Sequence, residues 1–333
     1  MAEPAVVVLN DTSVRYHHGC ARVMRLLVLG LERAGLSVVR RVPARADWAR
    51  DRATLAAMRG AQVIVINGEG TLHDGAAQGA RLLAAVDAAP GVPVALVNAL
   101  WEANPPDWGA QLGRMALVAA RDSRSAAVMA AATGRPVRWV PDLSLSAPAE
   151  TGADTGAAAR AGLIIGDSVR ADMRRALAEA AQRLGATSLP TKTLRSPVWR
   201  NRAMAGLLWR GYTGVWRGAV PRFEMAADEG DYLARIAAAE AHVTGRFHAV
   251  CLSMLTETPF LALASRTSKI ETLLADAGLG PDRLIGVEAL AGLTQATVRR
   301  PFSPAETAAI RAFRAQAQAG AAELFADIRR LAG

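Results

Sequence analysis

Along the first half of the chain, short apolar runs ending in small or polar residues alternate with longer stretches of helical spacing. "AVVVLND" is the first such run, and "CARVMRLLVLGLERAG" follows with apolar positions three and four apart, stopping at Gly35. "LSVVRRV", "AQVIVING", "VPVALVNALW", "ALVAARDS" and "VRWVPDLS" read as further strands, with Ala-rich helical segments between most of them. Strands alternating with helices predict a parallel sheet covered on both faces. At the strand ends the pattern turns polar: Asn10-Asp11-Thr12-Ser13, Asn67-Gly68-Glu69-Gly70-Thr71, Arg121-Asp122-Ser123 and Pro141-Asp142. In an open parallel sheet the ligand crevice lies outside those carboxyl ends.

The alternation pauses at "SAPAETGADTGAAARA", a stretch of Gly, Pro and short side chains that reads as a linker. A second series begins at "GLIIGDSV" and includes "EAHVTGRFHAV" and "TPFLALAS". The predicted organisation is an N-terminal Rossmann-like domain over 1–148, a linker over 149–160, and a C-terminal Rossmann-like domain over 161–302. A helix over 303–333 closes the chain, able to pack back across the boundary, with Ser303 as N-cap and Glu306 three residues on. Two doubly wound α/β domains suggest the architecture called GT-B.

Composition narrows the class. The 333 residues are half apolar with few aromatics, suiting two globular domains. No apolar run approaches the roughly 20 residues needed to span a bilayer, and the start "MAEPAVVVLND" lacks the pattern of a signal peptide. Two cysteines, Cys20 and Cys251, give neither a disulfide framework nor a zinc pattern and fit a reducing cytoplasm. The net charge of +9 is carried almost wholly by arginine, suited to bidentate contact with phosphate and carboxylate. An anionic small substrate is the favoured partner and an anionic membrane surface the next. Nucleic acid is not expected, because no binding motif accompanies the charge.

Several segments carry candidate chemistry. Asp11, Thr12 and Ser13 fall at the tip of the first strand, with His17 and His18 just ahead of the first helix, whose free N–H groups suit an anion. They read equally as a pocket or as a helix cap with two half-exposed histidines. Without a third ligand nearby, two adjacent histidines are not expected to hold a metal. "INGEGTLHDG" places Glu69 between two glycines, with Thr71 and His73 following; it lacks the spacing of a dinucleotide fingerprint and the lysine of a phosphate loop. Glu69 is a candidate base or sugar-hydroxyl ligand with His73 assisting, against an ordinary strand-to-helix turn. In "HVTGRFH", read as extended, Arg246 and His248 point to one side about 7 Å apart. That suits an anion grip beside a proton-transfer group; the plainer reading is a surface arginine and a capping histidine. Lys269, in "SRTSKIETLL", is a candidate second clamp or a basic helix start. "LRSPVWRNRAMAGLLWRGYTGVWRGAVPRF" interleaves Trp199, Trp209, Tyr212 and Trp216 with arginines. It reads as a lid whose tryptophans fill the interdomain seam, or as a docking site for a membrane or a lipid-linked acceptor.

"NDTS…HHGC", "NGEGTLHDG", "ARDSRS", "VPDLSLS" and above all "TGRFHAVCLSMLTETPFLAL" with "SKIETLL" resemble, in that order, the polysaccharide pyruvyltransferase family. The resemblance implies a GT-B-like fold. It also implies transfer of the pyruvyl group of phosphoenolpyruvate to two hydroxyls of a nucleotide- or lipid-linked sugar in bacterial surface-polysaccharide synthesis, with phosphoenolpyruvate as co-substrate and no further cofactor. It implies Arg246 as a ligand of the donor's phosphate or carboxylate and His248 as general acid/base. Arg121 and Lys269 are candidates for a second donor cation by position, and Asp11, Thr12, Ser13, His17, His18, Glu69, Thr71 and His73 for the acceptor side. The expected location is the cytoplasm, peripheral to the inner face of its membrane. A GT-B glycosyltransferase using a nucleotide-activated sugar, with Glu69 or Asp11 as catalytic carboxylate, is the alternative. A non-catalytic glycan-binding or assembly protein is the third.

Overall fold

The computed structural model describes residues 3–149, 160–264 and 267–333, so most of the expected linker and the segment just ahead of Thr267 lie outside the described residues. The chain divides into two compact units. The first comprises residues 1–15, 21–147 and 315–333, and the second residues 16–20 and 148–314. The division at 147/148 falls where the composition shifts. One expectation is corrected: Tyr16–Cys20 belongs to the second unit. The terminal helix does return as expected, its Ala315–Gly333 portion belonging to the first unit.

The first unit holds a six-stranded sheet of β1 (Ala5–Asp11), β2 (Ser37–Pro43), β3 (Val63–Asn67), β4 (Val94–Ala99), β5 (Leu117–Ala120) and β6 (Arg138–Trp139), in the order β2-β1-β3-β4-β5-β6. All the pairings are parallel. Val6 and Val8 of β1 pack on one face and Val7 and Leu9 on the other, which is why this strand reads as continuous hydrophobicity. Helix α1 (His18–Arg33) begins among the second unit's residues, and its Val23, Met24, Leu27 and Leu31 cover one face of the first sheet. Helix α2 (Ser123–Thr133) is capped by Asp122, whose side chain accepts from Ser125 N–H.

The second unit holds β7 (Leu163–Ser168), β8 (Thr187–Ser188), β9 (Ala241–Gly245), β10 (Phe260–Leu263) and β11 (Leu284–Ile285), all parallel, in the order β11-β10-β9-β7-β8. Its helices include α3 (Ala171–Leu184), α4 (Arg202–Thr213), α5 (Glu229–Ala238), α6 (Phe247–Leu255) and α7 (Lys269–Asp276). Helix α8 (Pro304–Leu331) ends the chain. Its start bears out the expected capping box: Ser303 Oγ accepts from Glu306 N–H, and Glu306 Oε2 accepts from Ser303 N–H at 2.7 Å. Farther along, Ala321, Leu324, Phe325 and Ile328 enter the core of the first unit.

Both sheets reverse strand order once: between β1 and β3 in the first unit, between β7 and β9 in the second. The carboxyl ends of strands flanking such a reversal are where an open parallel sheet leaves a crevice for ligands.

Candidate active site

At the reversal of the second sheet, β7 ends in Asp167-Ser168 and β9 leads into Arg246. Arg246 Nε and Nη2 both donate to Asp167 Oδ2, at 2.9 and 2.5 Å, and Nη2 lies 3.2 Å from Tyr212 Oη. Tyr212 donates to the same carboxylate oxygen at 2.5 Å, and Thr191 N–H donates to Oδ1 at 3.0 Å. Burial alone would push the Asp167 carboxyl up, but the Arg246 charge and these donors hold it well below the usual carboxylate range. Burial likewise opposes the Arg246 charge, and Asp167 more than restores it. The same carboxylate, with burial ahead of it, pushes the Tyr212 hydroxyl up and keeps it protonated. Arg246 is therefore a charged, locked guanidinium whose Nη1 makes no hydrogen bond among the described residues.

His248 is not on the strand. β9 ends at Gly245, Arg246 is extended (φ −111°, ψ 127°), and α6 begins at Phe247. The expected same-side alternation of Arg246 and His248 is corrected accordingly: the apolar run after Arg246 is buried on every side as a helix, and His248 occupies its first turn. Its neighbours are supplied by Tyr16–Cys20. The His17 ring lies edge-on to His248, centroids 5.4 Å apart. A Cβ on Gly19 would fall 2.2 Å from His248 Cβ, so only glycine permits this approach. His18 turns elsewhere, stacked on Tyr232 at 4.8 Å, while Tyr232 shares a hydrogen bond with Thr191. Burial, then the neighbouring His248 and Arg246, hold the His17 imidazole neutral, well below its usual range. Burial also brings His18 down to about 4, against the pull of Asp228, Asp231 and Glu229. His17 and His18 are thus corrected on two points: both are buried rather than half-exposed, and neither stands with Asp11–Ser13, His17 lying against His248 and His18 against Tyr232.

His17, Cys20 and His248 each bring a ligand atom within 4.8 Å of the other two. Two imidazoles and a thiol suit a borderline-soft ion such as zinc. The ground for expecting no metal is thereby corrected, since the fold supplies the partners that adjacent His17 and His18 lack in sequence.

The first unit gathers a different set at its own reversal. Asn10, held at φ 64°, donates to Asn67 O at 2.6 Å and Thr71 Oγ1 at 3.0 Å. Thr12 Oγ1 donates to Glu69 Oε2 at 2.5 Å, and Thr71 Oγ1 to Glu69 O at 2.8 Å. Asp11 accepts from Ser13 N–H and Oγ and pairs with Arg41 at 2.8 Å. Asp11, Thr12, Ser13, Glu69 and Thr71 therefore do converge. His73 instead hydrogen-bonds Asp74 at 3.0 Å, half-exposed in the following turn. Arg121 is corrected as a donor ligand: it is buried in the first unit with Nη1 3.4 Å from Asp142. Lys269 opens α7 beyond β10, the strand beside β9, and so sits on the same sheet edge as Arg246.

The residues missed in the sequence are Asp167, Thr191 and Tyr232, of which only Asp167 left a signal, as the acidic residue near a strand end in "GLIIGDSV". Tyr212, read only as part of the aromatic and arginine-rich segment, instead joins Asp167 and Arg246. Trp209 is corrected from seam to core: fully buried within the second unit beside Ala178 and Val215, it donates Nε1–H to Ser188 Oγ at 3.2 Å.

Residues 25–267 match the family model for polysaccharide pyruvyl transferase. Among curated protein sequences none matches. Solved structures are similar over nearly the whole chain. A putative UDP-N-acetylglucosamine 2-epimerase from Listeria monocytogenes is 12% identical with a TM-score of 0.55, covering 97% of this chain and 94% of its own. The UDP-GlcNAc 2-epimerase from Neisseria meningitidis, bound to UDP-GlcNAc, is 9% identical with a TM-score of 0.57, covering 97% and 99%. The glycosyltransferase AviGT4 of avilamycin A biosynthesis is 13% identical with a TM-score of 0.50, covering 99% and 98%. At such identities the likeness is one of fold: two parallel α/β units of the GT-B class.

Proposed function

Since the chain belongs to the polysaccharide pyruvyl transferase family, we propose that this transferase moves the pyruvyl group of phosphoenolpyruvate onto two hydroxyls of one sugar. In this scheme the donor's methylene carbon takes a proton. The central carbon, now electron-poor, gains a bond to each acceptor oxygen as its bond to the phosphate oxygen breaks. The two hydroxyl protons balance the one delivered to carbon and the one lost to base or phosphate. The products are a cyclic ketal and inorganic phosphate.

Arg246 supports this reading most directly. Its guanidinium is charged, pinned by Asp167, and has Nη1 left for the donor's phosphate or carboxylate. A cation fixed before the reaction needs no reorganisation as negative charge grows on departing phosphate. His248 is assigned as general acid/base, with the neutral His17 beside it as auxiliary, and Lys269 as the second donor cation. Asp11, Thr12, Ser13, Glu69 and Thr71 are assigned to acceptor hydroxyls. The acceptor is a nucleotide- or lipid-linked sugar of bacterial surface-polysaccharide synthesis, met in the cytoplasm at the inner membrane face. Phosphoenolpyruvate is the co-substrate, and no step is routed through a metal or other cofactor.

The test is incubation with phosphoenolpyruvate and a panel of nucleotide- and lipid-linked sugars, reading phosphate release and the acceptor's mass. Ketal formation that His248→Asn abolishes, with donor binding retained, is the expected result. Consumption of a nucleotide sugar with no phosphoenolpyruvate turnover would transfer the case to a glycosyltransferase using Glu69 or Asp11.

A further inference from the structure

Residues 180–223 contain eight arginines and lysines and no carboxylate, in a chain whose net charge is +9. The basicity is therefore local. Arg195, Arg200, Arg202 and Arg217 have no carboxylate partner among the described residues; Arg200 lies over the Trp199 ring at 5.4 Å. Solvated arginines alone would be unremarkable, but the same stretch is apolar on its outside. Leu194, Val198, Met204, Leu207 and Trp216 are exposed, half of all the exposed large apolar side chains among the described residues; Leu207 is 55% and Trp216 63% accessible.

Helix α4 shows why these side chains cannot be core that happens to be open. Its inward face is already filled by Ala205, Trp209 and Thr213 at four-residue spacing, which leaves Met204 and Leu207 on the outside. The loop bearing Trp216 is also ordered: Arg210 donates to the carbonyls of Val215, Trp216 and Gly218, the last at 2.9 Å. Beside the helix, Arg202 and Arg210 line a groove of about 860 Å³ with Leu207, Val220 and the Arg222–Glu224 pair.

We infer that this surface docks on an anionic lipid bilayer. Its apolar side chains enter the headgroup boundary while the guanidiniums contact lipid phosphates, the arrangement of an interfacial amphipathic helix. Charge complementarity selects an anionic bilayer over a zwitterionic one. The exposed leucines, methionine and tryptophan select a bilayer over nucleic acid, whose phosphates would leave them uncovered. No helix among the described residues is long and apolar enough to cross a membrane, so the contact made here is peripheral. The inference does not depend on the donor reading, and vesicle binding is measured without any donor.

The test is flotation of the full chain with vesicles of phosphatidylcholine containing about a third phosphatidylglycerol, and with phosphatidylcholine alone. The wild type should float with the anionic vesicles and lose binding as salt rises. Arg200→Gln and Arg202→Gln should each weaken it about five-fold, from ~1 kcal/mol per cation near such a surface. Leu207→Asp with Trp216→Ser should weaken it at least as much while leaving circular dichroism unchanged, since both side chains are exposed. Three results would overturn the inference: no flotation with anionic vesicles at low salt, equal flotation with phosphatidylcholine, or binding indifferent to the Leu207/Trp216 change. Equal competition by single-stranded DNA for the wild type and that apolar variant would also overturn it, marking a surface for polyanions in general.

Discussion

Replacing Asp167 by Asn removes a charge while keeping the shape of the side chain, and so isolates what the carboxylate does for Arg246. Both partners are buried, with side-chain exposures of 3% and 10%, and one carboxylate oxygen takes both guanidinium donors and the Tyr212 hydroxyl. Breaking such a pair from one side leaves the other charge uncompensated, at a cost of about 3–5 kcal/mol. At about 2–4 °C per kcal/mol for a unit of this size, the second unit should melt roughly 6–20 °C lower. Removing both charges with Asp167→Asn and Arg246→Met should recover most of that loss, because the penalty is the orphaned guanidinium rather than the missing contact. Differential scanning calorimetry on the four proteins of the cycle, at neutral pH, reads the effect. The reasoning is refuted if Asp167→Asn changes stability by no more than about 0.5 kcal/mol, as an ordinary surface substitution would. It is equally refuted if the double variant is no more stable than the single one.

Gly19→Ala should destabilise by about 1–3 kcal/mol, since its Cβ would meet His248 Cβ at 2.2 Å. Because His248 must move aside, turnover should fall on the order of 100-fold while phosphoenolpyruvate affinity changes little; steady-state kinetics and calorimetry separate the two. Trp209→Ala should cost about 3–5 kcal/mol in urea unfolding, having emptied a fully buried site, whereas Trp216→Ala should cost nothing measurable. Acid should weaken the fold early. Burial lowers His18 and His242 to about 4, and His17 also lies well below its usual range. As pH falls from about 6.5 toward 4, the unfolded chain takes up protons the folded chain refuses, so stability drops by ~1.4 kcal/mol per pH unit for each histidine. Asp167 adds little in that window, because its contribution begins to be lost only as pH falls toward the ordinary carboxyl range, where the unfolded chain takes up the proton that the folded carboxylate refuses. Urea midpoints between pH 7 and 5 should show the decline, and His242→Gln should flatten it by about one proton.

The strands were legible where they were long. β1, β3, β4 and β7 are buried on both faces, so their positions could be read directly, and at β1 and β3 the polar tips as well. β8 and β11, two residues each, offer too little length for any periodicity. The start of α6 reads two residues late for a different reason: a helix buried all round carries no amphipathic signal to mark its first turn, so "HVTGRFH" reads as extended although the backbone turns at Arg246. Arg246 and His248 were identifiable as a pair, but what makes them a site comes from elsewhere in the chain. Asp167 lies 79 residues before Arg246, and His17 and Gly19 reach His248 from near the N-terminus. Helical phase decided the tryptophans: Trp209 follows Ala205 by one turn onto the inner face, a distinction composition does not contain.

Calorimetric titration of the full chain with phosphoenolpyruvate tests the central claim most directly, run on the wild type and on the Asp167→Asn, Arg246→Met double variant. The comparison removes the donor cation without leaving an uncompensated buried charge that would destabilise the protein. Saturable binding to the wild type, lost in a double variant of native circular dichroism, is the predicted result. Undiminished binding in the double variant, or no saturable binding to the wild type with or without acceptor sugars present, would contradict the account.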